Sequence, residues 1–194
     1  MRKIAMSAAF AAMVLAPVAA SAQAIPGAVI AVVDLEKVST QCTACKSAKT
    51  ALEGQVNALK SREAALAAPL KTEGQALQTA VEALKGKEPD AALAARIKAF
   101  QTKQQQGAQE LQRQEQQIQR NQAYIQKQVA DKLGPIYQQV MQRRGANVMM
   151  ETGSTLATTT TVDVTNDVLT ALNTSLPSIQ TTAPAQQQQT PQSR

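Results

Sequence analysis

Between residues 41 and 144 the chain is written almost wholly in Ala, Gln, Lys, Glu and Leu, and it is broken once, at Gly86-Lys87-Glu88-Pro89-Asp90. Before the break, Leu52, Val56, Leu59, Leu66, Leu70, Leu77, Val81 and Leu84 keep an alternating four-and-three spacing, with Glu63 and Glu73 filling two gaps. After it, Leu93, Ile97, Phe100, Leu111, Ile118, Ile125 and Val129 do the same, with Gln104, Gly107, Gln114 and Gln122 in the gaps. A sustained repeat of about 3.5 residues is the seam of a coiled coil. The Gly-Pro break turns that seam back on itself as an antiparallel hairpin with its tip near 86–90. Folding there sets Leu84 against Leu93, Leu77 against Phe100, Leu66 against Leu111, Leu59 against Ile118 and Leu52 against Ile125. Pro69 and Gly107, both poor helix formers, fall opposite each other and predict a hinge partway along the arm.

Composition agrees with a narrow seam rather than a round core. The 194 residues include no Trp and no His, and only two Phe and two Tyr. A compact domain of this length normally packs aromatics and branched aliphatics. The lack of His removes the commonest general base and metal ligand, so a Ser-His-Asp triad, a Cys-His dyad and an HExxH zinc site are all excluded. No G-x-x-x-x-G-K-[ST] loop is present for ATP. No catalytic, cofactor-binding or metal-ligating residue is assigned.

The segments outside the hairpin have distinct characters. Arg2 and Lys3, an apolar run over 4–15, Pro17 and Ala20-Ser21-Ala22 read as a signal peptide, residues 1–22, cleaved after Ala22. The run is too short to span a membrane, which takes about 20 apolar residues. Residues 23–40 hold Ala28-Val29-Ile30-Ala31-Val32-Val33, a buried strand ending at Asp34, with Ser39 and Thr40 as helix N-caps. Residues 145–176 carry two β-prone stretches, 146–150 and 155–162, and a short helix capped by Asp163. Residues 177–194 are a Gln, Thr, Pro and Ala tail, expected to be disordered because it has too little apolar surface to order itself.

Charge is concentrated on the hairpin. Residues 41–144 hold 16 Lys+Arg and nine Asp+Glu, a net +7, whereas the rest of the mature chain sums to −3. Nucleic acid is a poor partner for an exported chain. An acidic polypeptide or an anionic lipid surface suits the field better. The flanking strands cannot build a stable core alone, and their edges need partners. Several copies pooling strands into one body would meet both needs. The expected fold class is therefore α+β, with a long antiparallel coiled-coil hairpin projecting from a small β body shared between subunits.

These residues carry a family resemblance. Ile30-Ala31-Val32-Val33-Asp34 behind a signal peptide, then the basic hairpin and 145–150, then Asp163-Val164-Thr165-Asn166-Asp167-Val168-Leu169-Thr170-Ala171-Leu172-Asn173 resemble the Skp/OmpH family of periplasmic chaperones. The D-x-T-x-x-V-x-x-x-L-N run is the most specific piece. The resemblance implies a homotrimer with a shared β-barrel body and three projecting arms. It also implies a cavity for unfolded outer-membrane proteins, with no enzyme activity, nucleotide or metal. On such arms the cations Lys71, Lys85, Lys87, Arg96, Lys98 and Lys103 are the candidate client contacts. Lipopolysaccharide or another anionic lipid surface is a further candidate partner.

Two other readings compete. Cys42-Thr43-Ala44-Cys45 is a C-x-x-C at a predicted helix start in an oxidising compartment, where a thiol oxidoreductase or a structural disulfide is possible. A redox domain needs a βαβ context and a substrate groove, and neither is visible. Two Cys without His are too few for structural zinc. The third reading is a passive envelope scaffold, a rod without a cavity.

Overall fold

The first strand, β1 (Ile30–Val33), is buried from Ala31 onward and lies at the centre of the body. It pairs in parallel with β2 (Val148–Glu151), Ile30 opposite Val148 and Val33 opposite Glu151. On its other side the Val32 N–H donates to the Val162 carbonyl, and the Val32 carbonyl accepts from the Val164 N–H, both at 2.8 Å. These relations come from a computed structural model that describes residues 26–185. The expected signal peptide, 1–22, and the end of the tail, 186–194, lie outside the described residues.

Asp34 ends β1 and starts α1 (Leu35–Gln41), its carboxylate accepting the Lys37 N–H at 2.7 Å. At Cys42 the backbone becomes extended, and α2 (Thr43–Ala83, 41 residues) leaves the body. Ser39 and Thr40 are not the caps expected of them. They lie inside α1, and both hydroxyls donate back to the Glu36 carbonyl, the local bonding open to Ser and Thr within a helix.

The tip turn takes Lys85 and Gly86 through the left-handed region, at φ 51° and 87°. For Gly86 this is free of the Cβ penalty that Lys85 bears. Asp90 then caps α3 (Ala91–Arg144, 54 residues), accepting the Leu93 N–H at 2.7 Å. At 1.5 Å per residue the two helices run about 60 and about 80 Å. α3 continues through Pro135 and ends at Gly145 (φ 67°), whose N–H donates to the Gln142 carbonyl. The turn that Gly permits delivers the chain to β2.

The arms meet close to the expected register: Leu77 and Phe100, Leu59 and Ile118, and Leu52 and Ile125 line common hollows along the seam. Leu66 packs over Gly107, with its Cδ1 3.7 Å from where a Cβ would stand. The Phe100 ring lies against Gly74, where an added Cβ would stand 3.2 Å from Phe Cζ. Each of these small residues lets a large side chain from the other arm come close.

Two expectations for the C-terminal half are corrected. Residues 155–162 do not form a strand. They are mostly exposed, Leu156 completely so, and only the segment around Asp163 bridges to Val32. Val-Thr composition alone supplies no partner edge for them. The tail, expected to be disordered, is laid along the arms from 177 to 185, anchored by bonds such as Gln55 Nε2 to the Thr181 carbonyl at 3.1 Å. Its order comes from groups on the helices rather than from its own apolar surface.

The core gathers where these elements converge. Ala31, Val33, Val38, Ile136, Val140 and Val168 pack with Leu172 of α4 (Thr165–Ser175) and with Cys42 and Leu176. The body is thus a small sheet sandwiched with helices, and the foot of the arm is part of its core.

Candidate functional site

The D-x-T-x-x-V-x-x-x-L-N run proves to be the joint between body and arm. Asp163 accepts the Thr165 N–H at 2.8 Å, so it helps start α4 from one residue before the N-cap position, which Val164 holds. The Thr165 hydroxyl and N–H hold the Asp163 carboxyl below its usual range. Thr165 Oγ1 accepts the Asp34 N–H at 2.9 Å, tying α4 to the end of β1. Val168 and Leu172 are fully buried. Asn173 Oδ1 accepts the Thr43 N–H at 2.9 Å, satisfying an open donor at the start of α2. Every residue of the motif is spent on fixing the arm to its base.

Cys42 and Cys45 sit at the same joint. They form a disulfide with Cα atoms 5.1 Å apart. Cys42 caps α2, its sulfur accepting the Cys45 N–H, and it is completely buried.

The six cations proposed from sequence are all exposed, but they do not form one cluster. Lys85 and Lys87 occupy the tip turn. Arg96 is engaged, pairing across the arms with Glu73 at 3.2 Å. Lys103 lines a hollow of about 430 Å³ midway along the hairpin, with Pro69 and Gly107 on its walls. Lys71 and Lys98 face solvent without an ion-pair partner among the described residues. The predicted breakers therefore do face one hollow, yet α2 runs unbroken through Pro69.

Sequence reasoning missed what spans that hollow. Arg62 binds Glu110 through two bonds, Nε to Oε1 at 2.7 Å and Nη2 to Oε2 at 3.0 Å, and so staples one arm to the other. The guanidinium holds the Glu110 carboxyl below its usual range. Being solvent-exposed, the pair fixes register more than it adds stability. The seam pattern could not show it, because an apolar repeat of about 3.5 residues records neither Arg62 nor Glu110.

One face of the body is apolar and uncovered. Val29, Ile30 and Val148 are exposed along β1 and β2, and among the described residues β2 pairs with β1 alone. An open strand edge beside exposed branched side chains is a surface that natural proteins normally cover. Among the described residues no helix is long and apolar enough to cross a membrane.

A small body that commits its sequence motif to anchoring a long, basic, two-helix arm defines a helical-arm protein. Residues 29–172 match the family of OmpH-like outer membrane proteins, and the chain belongs to that family. The fold is similar to the crystal structure, at 2.83 Å, of a Caulobacter crescentus CB15 protein named as an OmpH-like outer membrane chaperone. The TM-score is 0.67 at 18% identity, covering 84% of this chain and 95% of that one. No curated protein matches.

Proposed function

We propose that this protein is a non-enzymatic, ATP-independent holdase chaperone of the periplasm that encloses unfolded outer-membrane proteins between its arms. The observation that carries this reading is the pairing of two surfaces on one chain. The open edge of β2, with exposed Val29, Ile30 and Val148 beside it, suits assembly, and the basic arms have lysines free to meet a client. Family membership and the name of the Caulobacter neighbour support it. In this reading three copies pool their strand edges into one body, and three arms surround a cavity. Weak contacts repeated along several arms give useful avidity without a specific motif. Enclosure keeps the client's strand edges from pairing with one another. Release needs no nucleotide, because folding of the client into the membrane removes the exposed segments that the arms hold. An anionic lipid or lipopolysaccharide surface is a further proposed partner of the same lysines.

The test is the salt dependence of capture. Exposed charges are screened over about 8 Å at physiological ionic strength, so association with a denatured outer-membrane barrel should slow as salt rises. Replacing Lys85, Lys87 and Lys98 with Glu, and leaving the paired Arg96 in place, should slow association by tenfold or more at low salt while changing dissociation little. Stopped-flow rates that are unchanged from low to high salt would remove electrostatic steering from the account.

A further inference from the structure

Residues 177–185 lie in a groove of the hairpin and are held mainly by their backbone. Gln128 reads one tail residue twice: its Nε2 donates to the Gln180 carbonyl at 2.8 Å, and its Oε1 accepts the Gln180 N–H at 3.0 Å. Farther toward the tip, Asn121 Oδ1 accepts the Ala183 N–H at 2.8 Å. From the facing arm, Gln55 Nε2 donates to the Thr181 carbonyl at 3.1 Å. The reading groups are themselves positioned. Asn121 Nδ2 donates to Gln55 Oε1 at 2.7 Å, which joins the arms beneath the tail. Asn121 is only 3% exposed, so its amide is aimed and desolvated, a condition under which an unmade hydrogen bond is costly.

Gln128 and Asn121 are two turns apart on α3, about 10.5 Å at 1.5 Å per residue. Gln180 and Ala183 are three residues apart, with a bend at Thr182 between them. Gln128, Asn121 and Gln117, on one side of α3, thus reach the main-chain groups of Gln180 and Ala183. The next amide toward the tip is Gln114, whose Nε2 donates to Glu110 Oε1 at 3.2 Å. It lines a hollow of about 350 Å³ that also contains Thr182, together with the apolar Ala58, Leu59 and Ile118. The groove thus continues tipward of its last backbone contact. Most of the groups it reads are main-chain N–H and C=O, which nearly every residue offers. The side-chain readings are few, such as the Tyr124 hydroxyl donating to Gln180 Oε1.

We infer that this amide-lined groove is a binding site for unfolded polypeptide of any sequence, and that residues 177–185 are its resident occupant, displaced when a client segment enters. The inference rests on the holdase reading and supplies it with a contact surface: the Gln-rich face of α3 reads backbone, while the lysines attract from a distance. The tail lies beyond the residues matched to the family. It acts as an internal competitor, so that only an unfolded chain offering several segments at once opens the groove.

The test is amide hydrogen exchange on the mature full-length protein, free and with a urea-denatured outer-membrane barrel diluted into it. Light scattering on the same samples shows whether the barrel is held. In the free protein the Gln180 and Ala183 amides should be protected, and Gln128→Ala with Asn121→Ala should make them exchange at least tenfold faster. With the barrel held, the unmodified protein should show the same tenfold acceleration at those two amides, while the Val32 and Val164 amides stay unchanged. A held barrel with undiminished tail protection would overturn the groove and leave the holdase reading standing. A barrel that aggregates regardless would overturn both, and the scattering signal tells the two failures apart.

Discussion

Val32→Asp is expected to dismantle the body and yield a monomeric, largely unfolded chain. Val32 is 3% exposed and lies on the central strand, with both its backbone groups bonded to the segment around Asp163 and its other neighbour in β2. The substitution puts a carboxylate at this buried position. Burying one unpaired costs several kcal/mol, which is a large share of the stability available to so small a core. The loss should show twice: as a fall in sedimentation coefficient and as a loss of helical circular dichroism at the foot of the arms. A variant that sediments and folds like its parent would mean that β1 is not the centre of the body.

Leu172→Ala should be the most damaging simple truncation, at about 2–5 kcal/mol. Leu172 is fully buried, and the neighbouring Asn173 caps α2. A cavity at this point loosens α4 under the arm as well as the packing itself. Tyr137 packs against the core and reports on it directly. With Tyr124→Phe as background, urea unfolding followed by the remaining tyrosine should show a midpoint shift of the body. Asn173→Ala is the graded control, expected at about 1 kcal/mol for a lost cap. Equal effects from the two changes would mean that Leu172 is not a central packing residue.

The arm was legible because periodicity is redundant: more than a dozen seam positions point to the same hairpin, and Asp90 and Gly145 punctuate the start and end of α3. β1 was legible because Ala31-Val32-Val33 is apolar on both faces. Register was harder. Its detail lies in close contacts and cross-arm ion pairs, Gly74 under Phe100, Gly107 under Leu66, Arg62 on Glu110 and Arg96 on Glu73, which the apolar pattern does not specify. The stretch at 155–162 misled because β-propensity reflects a fit to neighbours, and its neighbours leave it exposed. The tail misled for the opposite reason. Its own residues have little to bury, and its order depends on Gln55, Asn121 and Gln128, which are far away in sequence. The cations were easy to find as a field but not as a site, since Arg96 is already bound to Glu73. The D-x-T-x-x-V-x-x-x-L-N run was visible as a motif, whereas its work as a joint needed Asp34 and Thr43 to be brought beside it.

The central claim is that this chain holds unfolded outer-membrane barrels out of aggregation, and light scattering tests it most directly. A barrel denatured in urea is diluted into buffer with the mature protein at three chains per client, without nucleotide, and scattering is followed over time. The account predicts that scattering is suppressed, and suppressed equally by a Cys42→Ser, Cys45→Ser variant, since the disulfide only shapes the foot of the arm. Aggregation at the rate of the barrel alone would contradict the account and leave a passive rod, while suppression lost only in the cysteine variant would point to thiol chemistry instead.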